Sequence, residues 1–214
     1  MTKMGTNTGK RKNKQVVIGI DQSYQNTGVT IVVDGKIQKI TSIELAKRCK
    51  TNSERRKLLN TKLGSVFGRA SSKYDSVICI VQRARLHGGP TSFINIDAIK
   101  AIGALTATIV DAASEYDIPV YSVDTRCWKS QVVGTSKGER NIFNVPEEKW
   151  PTIQWICSQG FEDSILIDIT GSKRSKGTFE RNGHKYIYNN DAADSAGIAM
   201  FWYKGDHSKL KEER

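Results

Sequence analysis

Hydrophobic residues at the start of the chain occur in strand-length runs that are separated by short polar turns. The runs cover residues 15–22, 28–33 and 36–43, and β-branched residues dominate the first two. Asp34-Gly35, which separates the last two runs, is a typical two-residue hairpin turn. The pattern therefore predicts three consecutive antiparallel strands.

From about residue 51 the apolar spacing changes from that of strands to that of helices. Apolar residues recur every three or four positions up to Phe67, which predicts a helix. A continuous apolar run at 76–81 predicts a strand buried on both faces, and a long apolar helix over 92–115 and a strand over 118–123 follow. This order predicts an α/β fold: a mixed five-stranded sheet, with three antiparallel strands and then parallel strands, and helices on both faces.

The remaining elements define the domain organisation. Pro146 predicts the start of a helix that reaches about residue 158, and Asn182-Gly183 predicts a second hairpin turn. The final helix is predicted to begin at Asn190. We expect one domain over 15–204 that contains a basic hairpin insertion at 171–190, a disordered basic tail over 1–14 and a charged tail over 205–214.

The charge balance indicates a polyanionic partner. The chain contains 33 Lys and Arg against 22 Asp and Glu, which gives a net charge of +11. Such a balance favours nucleic acid, with an ordinary basic protein as the alternative. The four cysteines form no C-x-x-C pair, which argues against a zinc site. No stretch resembles a signal peptide or spans a bilayer, so we expect a soluble, cytoplasmic protein without a membrane partner.

Three aspartates are candidates for chemistry. Asp21 ends the first buried strand, where a carboxylate is costly unless a metal ion or hydrogen bonds from the following turn satisfy it. Asp191 and Asp194 share one face in the first turn of the final helix. The alternatives are a turn-capping role for the first and helix capping for the other two. Together with position 82, which ends the neighbouring strand, they could bind Mg²⁺ or Mn²⁺ ions that promote phosphodiester hydrolysis.

The chain resembles the RuvC-like Holliday junction resolvases of the RNase H-like superfamily. The resemblance covers about residues 16–202 and is carried by four segments: Ile18-Gly19-Ile20-Asp21-Gln22-Ser23 with Thr27-Gly28, the strand 77–82, the segment 128–137, and Asp191-Ala192-Ala193-Asp194-Ser195-Ala196. It implies an RNase H-like fold and a magnesium-dependent endonuclease that resolves branched DNA by a two-metal mechanism. It also implies that Asp21, position 82, Asp191 and Asp194 are the catalytic metal ligands. A homodimer is expected, because two symmetric nicks need two sites, and the apolar helix over 93–115 is the candidate interface.

Gln82 departs from the family pattern, which has Glu at the end of this strand. An amide keeps the shape of the side chain and offers an oxygen, but it removes one negative charge beside the metal ions. We favour an engineered Glu→Gln change that traps uncut DNA. The alternative is a natural, inactive homologue that binds branched DNA. In either case we expect a protein of phage or viral type.

Further residues are candidates for DNA contact. The resemblance loosely implies that Lys129 and Lys137 contact the scissile phosphate, and Phe93 occupies the place of an aromatic wedge, with a core position as its alternative. The full set of expected DNA-binding residues is Arg83, Arg85, Phe93, Lys129, Lys137, Arg140, Lys173 and Arg174. A different class, the actin/hexokinase-like phosphotransferases, also begins with an apolar strand, Asp and a glycine-containing turn, but requires a second phosphate loop that this sequence lacks.

Overall fold

A mixed sheet of six strands forms the centre of the protein in the computed structural model, which describes residues 12–83, 96–134, 145, 147–174 and 177–213. The strands are β1 (Lys12–Asp21), β2 (Asn26–Val33), β3 (Lys36–Glu44), β4 (Tyr74–Gln82), β5 (Val120–Val123) and β9 (Lys211–Glu213). Their order across the sheet is β3-β2-β1-β4-β5-β9. The first three strands are antiparallel, and β4 and β5 run parallel to β1. The predicted mixed α/β fold is therefore confirmed.

The sheet has one strand more than predicted. Strand β9 lies in the segment that the sequence predicted as a charged tail, and it pairs antiparallel with β5 at the edge of the sheet. The Ser122 hydroxyl donates a hydrogen bond of 2.6 Å to Glu213 Oε1, which adds a side-chain contact to the backbone ladder. The short, charged sequence of β9 carries no apolar alternation, so its pairing could not be inferred from hydrophobic pattern.

Within the residues that the structure describes, five α-helices pack around the sheet. Leu59, Leu63 and Phe67 of the first helix and Leu105 and Ile109 of the second are buried in one core, with the side chains of β1 that face them. The last helix packs on the opposite face, where its apolar residues contact Trp128 and the alternate residues of β1 and β4. The helices are α1 (Asn52–Lys73), α2 (Ile96–Ser114), α3 (Thr125–Trp128), α4 (Trp150–Ser158) and α5 (Asn190–Lys204).

Helix α4 begins later than predicted. Residues 147–149 form a turn, and the helix starts at Trp150, so that Pro151 lies within its first two positions. Proline is tolerated there because the first backbone N–H groups of a helix have no partner within it. The shift places Lys149 in the turn before the helix, directed to the site described below.

The predicted hairpin at Asn182-Gly183 is present, and both turn residues have positive φ angles, 53° and 76°. It joins β7 (Phe179–Arg181) to β8 (His184–Tyr188), and β8 also pairs with β6 (Leu166–Asp168) to give a separate three-stranded sheet. Within the described ranges, no helix is both long and apolar enough to cross a membrane.

Candidate functional site

Register and side-chain alternation bring Asp21 and Gln82 to the same face of the sheet. Ile20 pairs with Val81 in the parallel ladder, so the next residues of β1 and β4, Asp21 and Gln82, end the two strands side by side. Ile20 and Val81 point into the core beneath α1 and α2. Their successors therefore point to the opposite face, the one covered by α5. Position 82, and not the buried Val81, is the one that shares a face with Asp21.

Glycine allows the start of α5 to approach Asp21. Gly28 of β2 lies directly opposite Asp21 in the antiparallel ladder. A Cβ atom at Gly28 would lie 2.8 Å from the Ala192 nitrogen and closer still to the Asp191 carbonyl group, so a side chain has no room. The first turn of α5 therefore contacts β2 through backbone atoms, which places Asp191 and Asp194 beside the strand ends.

The N-terminus of α5 is fixed by a cap. The Asn189 side chain accepts a hydrogen bond of 3.1 Å from the Ala192 backbone N–H, which satisfies one of the free donors of the first turn. Asp191 accepts a hydrogen bond of 3.0 Å from the Ser23 hydroxyl, and Ser23 in turn accepts one from the Asn26 backbone N–H. The turn that follows Asp21 therefore orients Asp191, because the Ser23 hydroxyl bonds both the Asp191 carboxylate and the Asn26 backbone N–H of the turn.

Asp194 forms the central ion pair of the site. It is almost fully buried, with 2% of its surface exposed, and its Oδ2 accepts a hydrogen bond of 2.9 Å from Lys149 Nζ. Lys129 Nζ lies 3.8 Å from Oδ1 and donates to the Glu148 carbonyl oxygen at 3.2 Å. The two lysines therefore balance part of the negative charge that the three aspartates bring together.

The electrostatics of the cluster follow from burial and mutual repulsion. Burial raises the pKa of Asp21 well above its ordinary value, and the charges of Asp194 and Asp191 raise it further, whereas Lys149 and Lys129 oppose the rise. Burial also raises the pKa of Asp191, although its hydrogen bond from Ser23 favours the ionised form. Such an acidic cluster favours a bound cation.

The two lysines respond differently to the same surroundings. Burial lowers the pKa of Lys129, and the attraction of Asp194 only partly compensates. Burial acts on Lys149 in the same direction, but the hydrogen bond to Asp194 and the charges of the three aspartates together outweigh it, so the pKa of Lys149 is raised. Lys149 is therefore the more firmly charged partner of Asp194.

A cavity of about 500 Å³ opens above these groups, and Asp21, Gln82, Asp191 and Lys149 all line it. Gln22 lies at its base, and its side-chain Nε2 donates to the Gln82 carbonyl oxygen at 2.6 Å and to Thr106 Oγ1 at 3.1 Å. These bonds connect the ends of β1 and β4 to α2. No pattern in the sequence indicates this role of Gln22, because a Gln at the end of a strand has many possible environments.

The oxygen atoms at and beside the cavity are of the types that bind hard cations. Gln82 Oε1, Gln22 Oε1 and Asp194 Oδ1 are buried oxygens that accept no hydrogen bond within the described residues. Carboxylate and amide oxygens are the ligands that Mg²⁺ takes. However, the described part of the chain contains no group of three or more His, Cys, Asp and Glu residues arranged to hold a metal ion. Gln82 contributes no carboxylate, and Lys149 occupies one oxygen of Asp194.

The expected DNA-binding residues have different positions. Lys129 lies in the site, as described above. Arg83 follows Gln82, and its Nε donates to Ser122 Oγ at 3.3 Å. Lys173 and Arg174 are exposed in the segment between β6 and β7. Four further candidates lie outside the described residues: Arg85, Phe93, Lys137 and Arg140.

Sequence reasoning missed Lys149, which is the cation closest to Asp194. The predicted helix start at Pro146 placed this lysine on an ordinary helical surface. The signal that could have found it is Pro151, because proline is common in the first turn of a helix. A helix that begins at Trp150 leaves Lys149 in the preceding turn.

Comparison with known proteins gives matches at the level of structure. No family model and no curated protein matches the sequence. RuvC of Thermus thermophilus is similar, with a TM-score of 0.55 and 15% identity over 93% of this chain and 100% of that one. The same protein in complex with a Holliday junction substrate gives 0.58 and 13% identity over 93% and 99%. The yeast mitochondrial Holliday junction resolvase Ydc2 gives 0.51 and 13% identity over 91% and 80%.

These matches extend over nearly the whole chain. At this level of identity they establish the architecture. The chain therefore has the fold of the RuvC-like Holliday junction resolvases.

Proposed function

We propose that this chain is a metal-dependent endonuclease of branched DNA, of the Holliday junction resolvase type, and that Gln82 impairs its catalysis. The observation that supports the proposal is the meeting of Asp21 and Asp191 with Lys149 in one cavity of a RuvC-like fold. Asp194 lies next to this cavity, where it pairs with Lys149 and Lys129. The net charge of +11 fits a substrate with many phosphates.

The described acids are not arranged to hold a metal ion while Lys149 occupies one oxygen of Asp194. If a cation displaced Lys149, then Asp21, Asp191 and Asp194 would hold Mg²⁺ or Mn²⁺, with the amide oxygen of Gln82 beside them. A bound divalent ion would supply a water of lowered pKa and would stabilise charge on the phosphodiester oxygens. A carboxylate at position 82 would add one negative charge to the donor set. We infer that Gln82 stands where an active enzyme of this type has Glu, and that the substitution, engineered or natural, weakens ion binding.

The chain's own residues organise the cavity for a polyanion. Lys149 and Lys129 are the ion-pair partners of the buried Asp194. When a cation replaces a lysine at this carboxylate, the freed ammonium group can pair with a phosphate oxygen instead. Ser23 holds Asp191 in one orientation through its hydroxyl. Gln22 fixes the end of β4 through the Gln82 carbonyl oxygen, so that the position 82 side chain remains beside Asp21.

A non-catalytic protein that binds branched DNA is the second candidate. One observation favours it: Lys149 forms a hydrogen-bonded ion pair with Asp194, and position 82 brings no compensating carboxylate. In that case the basic side chains would bind DNA, and the aspartates would serve to position the two lysines.

A homodimer is part of the main proposal, because two coordinated nicks require two sites. The apolar helix α2 is the candidate interface of this proposal, and Ile99 on it is only half-buried within one chain.

Restoring the acid at position 82 tests the proposal. Gln82→Glu should cut a four-way DNA junction in Mg²⁺ or Mn²⁺ and leave linear duplex intact, whereas the unaltered chain should bind the junction and cut it far more slowly. Gln38→Glu is the matched control, because Gln38 is exposed on β3, away from the cavity, and the change in charge is the same. Gln82→Glu combined with Asp21→Asn should be inactive.

Manganese titration gives a readout that does not depend on cleavage. Gln82→Glu should bind Mn²⁺ more tightly than the unaltered chain and the Gln38→Glu control. If Gln82→Glu neither cuts the junction nor gains Mn²⁺ affinity, the nuclease proposal is wrong. Selective junction binding by the same variant would then support the non-catalytic alternative.

A further inference from the structure

A second cavity, of about 320 Å³, adjoins the acidic cavity and is lined by cationic side chains. Tyr24 and Asp97 line both cavities, so the two are neighbours. Arg55 and Arg56 come from the first turns of α1, and Lys100 comes from α2. Three cations against one carboxylate leave this second cavity with a positive charge.

Neutral partners hold the two guanidinium groups in place. The Arg55 guanidinium lies over the Tyr24 ring, 4.5 Å from its centroid, and the Tyr24 hydroxyl donates a hydrogen bond to Asn52 Oδ1. Arg56 Nε donates to Thr108 Oγ1 at 3.1 Å, which connects α1 to α2. Both arginines are therefore ordered without neutralisation of their charge.

The charges of this cavity are available to a ligand. In the part of the chain that the structure describes, no carboxylate forms an ion pair with Arg55, Arg56 or Lys100. In addition, Arg55 Nε is buried and has no hydrogen-bond partner among the described residues. A buried donor without an acceptor is costly, and an anionic ligand that reaches it would remove that cost.

We propose that this cavity, formed by Tyr24, Arg55, Arg56 and Lys100, binds a phosphodiester of the DNA strand that runs through the acidic cavity. The inference rests on the proposed function, since it assigns the neighbouring subsite of the same strand. The arginine fork matches two oxygens of one phosphate, and lysine adds a third charge. Arginines that are already ordered lose little side-chain entropy on binding.

The location of the cavity gives it a specific role. Because Tyr24 lies three residues after Asp21 and lines both cavities, a strand held by Arg55 and Arg56 would pass directly over the acidic cluster. The subsite would therefore fix the position of the strand relative to the aspartates, in addition to contributing affinity.

Salt dependence of DNA binding provides the test. Binding of a fluorescent four-way junction is measured by anisotropy over a range of salt concentrations, without divalent ions, so that cleavage plays no part. The variant is Arg55→Gln with Arg56→Gln. The control is Lys57→Gln with Lys73→Gln, which removes the same charge from α1 at residues that do not line this cavity. Circular dichroism and thermal unfolding verify that both variants are folded.

The arginine variant should bind at least about tenfold more weakly, because each charge-assisted hydrogen bond contributes about a factor of ten or more. The slope of log K against log salt should become shallower by about two, the value for two released counterions. The lysine control should keep the slope of the unaltered chain. If the slope is unchanged in the arginine variant, or falls equally in the control, the subsite proposal is wrong.

The outcomes distinguish this inference from the proposed function. Unaltered protein that binds the junction selectively, together with an arginine variant that binds equally well, would overturn the subsite and leave the proposed function intact. Unaltered protein that fails to bind junction DNA at any salt concentration would overturn both. If the arginine variant does not fold, the single change Arg55→Lys replaces it. This change keeps the charge but removes the planar guanidinium, so it should weaken junction binding without a change in the slope of log K against log salt.

Discussion

The close approach of α5 to β2 makes Gly28 the most informative single position in the structure. Gly28→Ala adds one methyl group at a point where the backbone of Asp191 and Ala192 leaves no space. The added Cβ would lie 2.8 Å from the Ala192 nitrogen, and ordinary van der Waals contact begins at 3.4 Å. The first turn of α5 must therefore move away from β2 by at least about 0.6 Å, and by more at the Asp191 carbonyl group, which lies closer.

Two consequences follow, and each has a magnitude. Overpacking of a well-packed contact costs about 1–3 kcal/mol of unfolding free energy. The retreat also carries Asp191 and Asp194 away from Asp21, and a misplacement of about 1 Å lowers catalysis by up to about a hundredfold. We therefore expect a loss of stability together with a loss of cleavage that is larger than the stability change explains.

Urea unfolding measures the first effect, and junction cleavage in the Gln82→Glu background, at a temperature where all variants are folded, measures the second. Gly64→Ala in α1 is the control, because a Cβ atom at Gly64 would contact only the Tyr116 hydroxyl, at an ordinary distance of 3.8 Å. Alanine in a helix interior should leave stability unchanged or raise it by up to about 1 kcal/mol. If Gly28→Ala unfolds at the same urea concentration as the unaltered chain, the steric argument fails.

Two further predictions concern stability and pH. Burial and the charges of Asp194 and Asp191 raise the pKa of Asp21, so its ionised form destabilises the metal-free fold, and this cost is absent below its ordinary value of 3.8. Asp21→Asn should therefore raise the melting temperature in chelator near neutral pH and give no such gain in acid, whereas a lower melting temperature near neutral pH would contradict the assignment. At α1, the backbone N–H groups of Thr51 and Lys50 lower the pKa of Glu54, which gives stability that is present above its ordinary value of 4.5 and lost as pH falls through the lowered value. Glu54→Gln should remove this dependence of stability on acidic pH. Thr51→Ala should lower the free energy of unfolding in denaturant by about 1 kcal/mol. Equal pH profiles of stability for Glu54→Gln and the unaltered chain would argue against the capping box.

The sequence was sufficient for the architecture and for part of the site. Alternating and continuous apolar runs predict strands, so β1 to β5 were predicted, and the spacing of three residues places Asp191 and Asp194 on one helical face. Ligand sites in such sheets collect at the strand ends, and this rule groups Asp21 with the two helical acids. These features depend on local periodicity, which a single sequence contains.

Other features depend on contacts between distant parts of the chain. Lys149 reaches Asp194 only because α4 begins after it, and the position of a helix boundary is poorly determined by composition. Strand β9 pairs through backbone hydrogen bonds at a free edge, which require no particular side chains. The role of Gln22 depends on the Gln82 carbonyl and Thr106, 60 and 84 residues away.

The hydrogen bond between Ser23 and Asp191 joins residues 168 positions apart, one just after the first strand of the sheet and the other in the last helix. During synthesis, therefore, the ribosome releases Asp21 long before the helix that completes the acidic cluster exists. Contacts of such long sequence separation form late in folding, because the entropy of closing the loop must be overcome first. A growing chain therefore has no assembled cavity, and the charge that could bind a divalent ion appears only when synthesis of the fold is nearly finished.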